Sequence, residues 1–327
     1  MEKSEKGSVC VTGGTGYVTS WLIMRLIQSG YYVNTTINNN LDPEGASFLE
    51  KLPNASQKLK IFRTNPDNPE SFRPAIEGCN AVIIGHSVDF EDKNDEETKI
   101  QRAIAGILGI LKACLDSKTV KRVIYTSTDG AVVYVTGGQD VVDESSWSDI
   151  DFIKKLNPLG AVYSITKTLI EKEVLNFGEK NGVDVVCVNH AWVFGPFVTP
   201  QCSIIVLHNM AMILGNWTNI EYDYGVISLV HVDDVARAQI FLLECPQVKG
   251  RYICCNANLT PDELSQFLTA RYPQYQIPTF DCLKVTKAFK SPRLCSKKLL
   301  DAGFKYKHNL NDMYDGAIAC CKQVGLL

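Results

Sequence analysis

The 327-residue chain lacks most of the features that tie a protein to a membrane, a metal or a nucleic acid. No apolar run approaches the roughly 18 residues of a membrane span. The opening MEKSEKGSVC is polar and has no signal-peptide core. There is no basic surplus, with 33 Lys+Arg against 36 Asp+Glu, so neither nucleic acid nor an anionic membrane is an expected partner. Histidine is scarce, at five residues. Cysteine is abundant, at twelve, but no C-x-x-C spacing pairs two of them as zinc ligands. No metal is expected, and the reading is a cytoplasmic protein with free, mostly buried thiols. There are no internal repeats and no low-complexity tracts.

What is present is alternation. SVCVT (8–12), YYVNTTI (31–37), LKIFR (59–63), AVIIG (81–85), VKRVIYTST (120–128) and VDVVCVN (183–189) read as strands. Helical spacing fills residues 17–29, about 96–116 and about 160–180. This pattern predicts an α/β fold, a Rossmann-type doubly wound parallel sheet with a smaller C-terminal substrate lobe. We assign residues 1–195 to the dinucleotide-binding-type domain, with a return segment at about 226–250. Residues 196–225 and 251–327 form the lobe. In SLVHVDDVARAQIFLLE a strand leads into a helix capped by Asp233 or Asp234, and Thr260, Pro261 and Glu263 spell a capping box.

Two motifs carry chemistry. In VCVTGGTGYVTSW, Gly13 and Gly16 hold the first two positions of G-x-x-G-x-x-G, a turn that lets backbone approach a pyrophosphate. In YSITK, Tyr163 and Lys167 stand one helical turn apart, where an ammonium can lower the phenol pKa and make Tyr163 a general acid or base. The end of the fifth strand adds hydroxyls at Thr126, Ser127 and Thr128, one of which can orient a substrate oxygen.

With these motifs in place, the chain resembles the plant extended short-chain dehydrogenase/reductases of the dihydroflavonol reductase branch. The carrying stretches include the glycine turn, GILKACLDSKTVKRVIYTS, YSITKTLIEKEVL, VHVDDVARA and DAGFKYKHNLNDMYDGAIACCK. The resemblance implies a triad of Thr128, Tyr163 and Lys167, with threonine for the usual serine. It also implies hydride from NADPH, and a structural role for His231.

Departures from that family collect along the cofactor path. Thr19 replaces the third glycine, where a β-branched side chain is expected to push the helix away or constrain its start. Asn38 stands where the family has an arginine for the NADP 2′-phosphate. Asn65 replaces an aspartate beside the adenine. AVIIGHSVDF is one residue short and brings in His86 and Ser87. His190 replaces a proline at the nicotinamide end, and a histidine there can move a proton near neutral pH. Gly13, Gly16, Thr19, Asn38 and Asn65 are thus read as a weakened or vestigial cofactor site, with no cofactor or weakly bound NADP(H). His86, Ser87, Trp192 and Phe194 line the candidate substrate pocket, with Phe197, Trp217, Tyr222 and Tyr224 as further aromatic walls.

The expectation is a monomeric or dimeric enzyme of plant specialised metabolism, acting on a small carbonyl-containing metabolite. Its favoured chemistry is non-redox: cyclisation, isomerisation, dehydration or bond cleavage by Tyr163 and Lys167, with Thr128 and His190. The alternative is an NADPH-dependent ketone or aldehyde reductase. A non-catalytic binding relative is the second alternative.

Overall fold

The computed structural model describes residues 6–38, 43–85, 95–219, 221–222, 225–285 and 289–327. Ten strands carry the architecture: β1 Ser8–Thr12, β2 Tyr32–Asn38, β3 Leu59–Thr64, β4 Ala81–Ile84, β5 Arg122–Thr128, β6 Asp184–His190, β7 Trp192–Phe194, β8 Ile227–His231, β9 Gly250–Cys254 and β10 Ala257–Leu259. Seven form one parallel sheet in the order β9-β6-β5-β4-β1-β2-β3. The principal helices are α1 Tyr17–Gln28, α2 Glu96–Ser117, α3 Ala161–Asn181, α4 Val232–Glu244, α5 Pro261–Arg271 and α6 Leu310–Gln323.

Both sheet faces are covered, which is why its strands read as continuous apolar runs. Strand side chains alternate between faces. Val9, Val11, Ile83, Ile124, Val186 and Val188 meet α1 and α4 through Leu22, Leu26, Val235 and Ala238. Cys10, Val82, Ile84, Val123, Tyr125 and Cys187 meet α2 and α3 through Ile107, Leu111, Ile170 and Val174. The winding reverses between the neighbouring strands β1 and β4, so a ligand crevice opens at their carboxyl ends.

A second sheet places β8 between β7, which is parallel to it, and β10, which is antiparallel. Carboxylates at the start of α4 tie this part of the chain to the main sheet's helices. Trp21 Nε1 donates to Asp233 at 2.9 Å and Arg25 pairs with it at 2.8 Å, both from α1. Asp234, fully buried, accepts from the backbone amides of Lys307 and His308 at 3.0 and 2.9 Å and from Arg237.

The cap of α4 differs from the sequence expectation. It is His231, whose Nδ1 accepts from Asp233 N at 3.0 Å, while both aspartates lie in the first turn. The Thr260 capping box forms as the sequence predicts, with Pro261 at the first position.

Candidate active site

The glycine turn joins β1 to α1 at the crevice. Gly13 takes a left-handed φ of 72°. A Cβ on Gly14 would lie 2.2 Å from Thr35 Oγ1. The turn is pinned to β2, with Gly14 N donating to Thr36 O at 2.8 Å and Gly13 N to Thr36 Oγ1 at 3.2 Å. Helix α1 then starts on Gly16 with no side-chain cap and no acidic residue in its first turn. Uncapped amides at a helix N-terminus suit an anion.

Of the two effects expected of Thr19, the structure shows a constrained start of α1. The Thr19 side chain is buried, and its hydroxyl reaches Gly13 O at 2.5 Å and Gly16 O at 3.1 Å. Its methyl occupies space left by Gly85 at the end of β4, where a Cβ would fall 2.1 Å from Thr19 Cγ2. A glycine is absent at 19 and present across the crevice at 85, so the close packing survives.

Asn38 ends β2, exposed, in register with Thr64. Asn65 is exposed too, and its side-chain oxygen accepts from Asp67 N at 3.0 Å, so it is engaged in its own turn. Residues 39–42, with His86, Ser87 and Tyr224, lie outside the described residues, as does the side chain of Tyr222.

The three candidate hydroxyls of β5 separate by direction. Ser127 Oγ donates to the buried Glu171. Thr126 Oγ1 accepts from Gln239 Nε2 at 3.1 Å. Thr128 sits at the strand's end beside His190 of β6, with its hydroxyl donating to Asp129 Oδ1 at 2.9 Å. Of the three, Thr128 is the one placed beside the half-buried Tyr163 of α3.

Lys167 lies a turn further along α3. Its Nζ donates to Thr126 O at 2.6 Å and stands 4.4 Å above the Tyr125 ring. Burial pulls it down to about 8, opposed by Glu171. Tyr163 is pushed up to about 12, first by burial and then by the charge of Asp129. The expected lowering by Lys167 is therefore not seen, because the ammonium is directed at Thr126 O and the Tyr125 ring.

Glu171, unnoticed in the sequence, completes a buried support. It pairs with Arg251 at 2.6 Å and accepts from Asn189 Nδ2 at 2.7 Å, and that amide also donates to Thr128 O at 3.2 Å. The network joins the ends of β5 and β6 to the start of β9. The available signal was the spacing Tyr163, Lys167, Glu171, every fourth residue on one helix face.

Residues 9–255 match the model of the NAD dependent epimerase/dehydratase family. Vestitone reductase of Medicago sativa is 48% identical over 98% of this chain and 99% of its own length. The crystal structure of that alfalfa protein superposes with a TM-score of 0.89 over 98% of this chain and 100% of that one, at 46% identity. The chain belongs to the NAD dependent epimerase/dehydratase family. Protein BRI1-5 ENHANCED 1 of Arabidopsis thaliana is 44% identical, over 99% of this chain and 90% of its own length. Dihydroflavonol 4-reductase of Callistephus chinensis is 37% identical over 100% and 90%.

Membership in this family, within its extended short-chain dehydrogenase/reductase branch, corrects the weighting drawn from the sequence. The relatives support the reductase alternative over cyclisation, isomerisation, dehydration or cleavage, and they do not support an absent or weak cofactor. The Thr19 methyl fills the space beside Gly85, so Thr19 alone does not argue against a cofactor.

Two further site expectations change. His190 donates through Nδ1 to Ala191 O at 2.9 Å, and burial, with Lys167 nearby, pulls it down to about 4. Near pH 7 that leaves a neutral ring. Phe194 is fully buried edge-on against Tyr314, 4.6 Å between centroids, and belongs to the core and not to a pocket wall. Phe197 is buried as well. Trp192 is half-buried, 4.8 Å from the His208 ring, and Trp217 packs partly buried on the same core. His231 stacks on His308 at 4.0 Å besides capping α4.

Proposed function

We propose that this protein is an NADPH-dependent reductase of a ketone or aldehyde on a small plant metabolite, flavonoid-like in class. The observation that carries the reading is the meeting of Thr128, Tyr163 and Lys167 at the carboxyl edge of the sheet that also carries the uncapped glycine turn. NADPH, when bound, supplies the hydride.

The protein supplies position and a proton. Amides at the start of α1 would hold the pyrophosphate, and Asn38 would hydrogen-bond the adenosine ribose. Lys167, fixed by Thr126 O, would hold the nicotinamide ribose. Tyr163, pushed up to about 12, stays protonated near pH 7 and donates from Oη to the carbonyl oxygen as it gains charge. Trp192 gives an aromatic surface beside this end of the site. The twelve free cysteines suit a reducing cytosol. Among the described residues no helix is long and apolar enough to cross a membrane.

The test is calorimetric titration with NADPH and NADH, followed by turnover of dihydroflavonol and isoflavanone ketones monitored by loss of NADPH absorbance. Tyr163→Phe is expected to lower turnover roughly 10²–10⁴-fold with NADPH affinity retained. Absence of NADPH binding, together with cofactor-free turnover of a carbonyl substrate, would reject the reading.

A further inference from the structure

Asp129 follows Thr128 and opens the short turn Asp129–Ala131 at the mouth of β5. Three partners meet at the Thr128 hydroxyl, one of them the Tyr163 side chain. Its Oγ1 donates to Asp129 Oδ1 at 2.9 Å and accepts from Gly130 N at 3.3 Å. A hydroxyl has one proton. While that proton lies on the carboxylate, Thr128 can only accept, and the Tyr163 side chain hydrogen-bonded to it is the group that donates.

We propose that Asp129 is a positioning residue that holds the Thr128 hydroxyl proton and so leaves Tyr163 as the one group donating to the reacting oxygen. The proposal rests on the reductase reading for the identity of that oxygen. It adds the residue that sets how many groups can donate to that oxygen. Alcohol oxidation needs a deprotonated Tyr163, and a carboxylate nearby opposes that form. Carbonyl reduction needs the protonated form, which Tyr163, pushed up to about 12 mainly by burial, keeps near pH 7 with or without that charge.

Among the described residues, the titratable groups that face Asp129 are Tyr163 from α3 and Cys255 just after β9. Both feel its charge as a raised pKa, and burial is the larger cause for each. Burial also lifts Asp129 itself to about 6, against the pull of Thr128 and the Gly130 amide. When Asp129 takes up a proton it releases the Thr128 hydroxyl, which then becomes a second donor to the reacting oxygen. Reduction thus gains an acid-side rise centred where Asp129 titrates.

The first readout needs neither substrate nor cofactor. The phenolate absorbance of Tyr163, isolated by difference against Tyr163→Phe, is titrated in wild type and in Asp129→Asn. Removing the charge is expected to move the midpoint down by roughly one unit. An unmoved midpoint overturns the proposal, whether or not the protein is a reductase. The second readout is the pH profile of NADPH-dependent reduction. Wild type is expected to show the acid-side rise. Asp129→Ala should lack it and run at the higher level throughout, roughly two- to tenfold above wild type near neutral pH. A uniform fall in turnover with the rise intact would mean that Asp129 is merely structural. A moved phenolate midpoint without any NADPH-dependent turnover rejects the reductase reading and keeps the coupling. Should Asp129→Asn fail to fold, the Asp129 carboxyl is followed by carbon NMR in wild type and Thr128→Val. Loss of the donor is expected to raise its midpoint, and an equal midpoint overturns the proposal.

Discussion

Burial holds His190 and His231 as neutral rings, each pulled down to about 4 from an ordinary 6.5. For a base, a folded value below the unfolded one means that folding expels the proton. The stability this gives is complete above about pH 6.5 and is lost as pH falls towards about 4. His190→Gln should flatten that loss by up to about 3 kcal/mol, the limit set by a shift of this size, as measured by urea unfolding across the window. A variant with the wild-type slope would show that His190 stays hydrated. This behaviour was not legible in the sequence, which gives residue type and spacing without burial. Tyr163 and Lys167 were legible because their partnership is local, one helical turn. Asp129 and Glu171 were not, since Glu171's partners Asn189 and Arg251 arrive from β6 and β9, and Asp129 matters through a helix thirty-odd residues on.

At the scale of elements, the strands and helices around the sheet could be read within a residue or two from apolar runs, because a sheet buried on both faces needs such runs. The short strands β7, β9 and β10 were missed. Three to five residues carry too little pattern, and their pairing depends on the rest of the fold. Thr19 shows the same limit from the other side. Seen as one letter in a helix start, it predicts a displaced or constrained helix. Seen against β4, it fills the space of an absent Cβ at Gly85. Gly85→Ala should therefore cost about 1–3 kcal/mol by overpacking. In a Thr19→Ser background, which keeps the hydroxyl and removes the methyl, most of that penalty should vanish. A double-mutant cycle read by denaturant midpoint decides the matter, and additive penalties would show that the two positions do not share this space. Thr19→Gly alone is then expected to open a void and not to improve cofactor binding, whereas Asn38→Arg alone should favour NADPH over NADH.

Across the whole molecule, the two sheets are joined by very short connections, Ala191 between β6 and β7, and Cys255–Asn256 between β9 and β10. The site at the end of β5 and β6 therefore inherits its geometry from both. Strand–helix alternation made the main sheet legible. The docking of the last sixty residues was not, because it is fixed by carboxylates near the start of α4 that receive backbone amides from a distant loop. Asp234 is the strongest of these, fully buried and accepting from Lys307 N, His308 N and Arg237. Its removal strands two amides and leaves the guanidinium to water. Asp234→Ala should cost about 3–5 kcal/mol, as for the breaking of a buried pair. Because its partners lie in 307–308, the loss should be uneven. Hydrogen exchange is expected to quicken first in the loop before α6 and in α6 itself, with the central strands β1, β4 and β5 protected until global unfolding. Equal loss of protection in β4 and α6 would mean that Asp234 supports the whole fold and not the attachment of its C-terminal part.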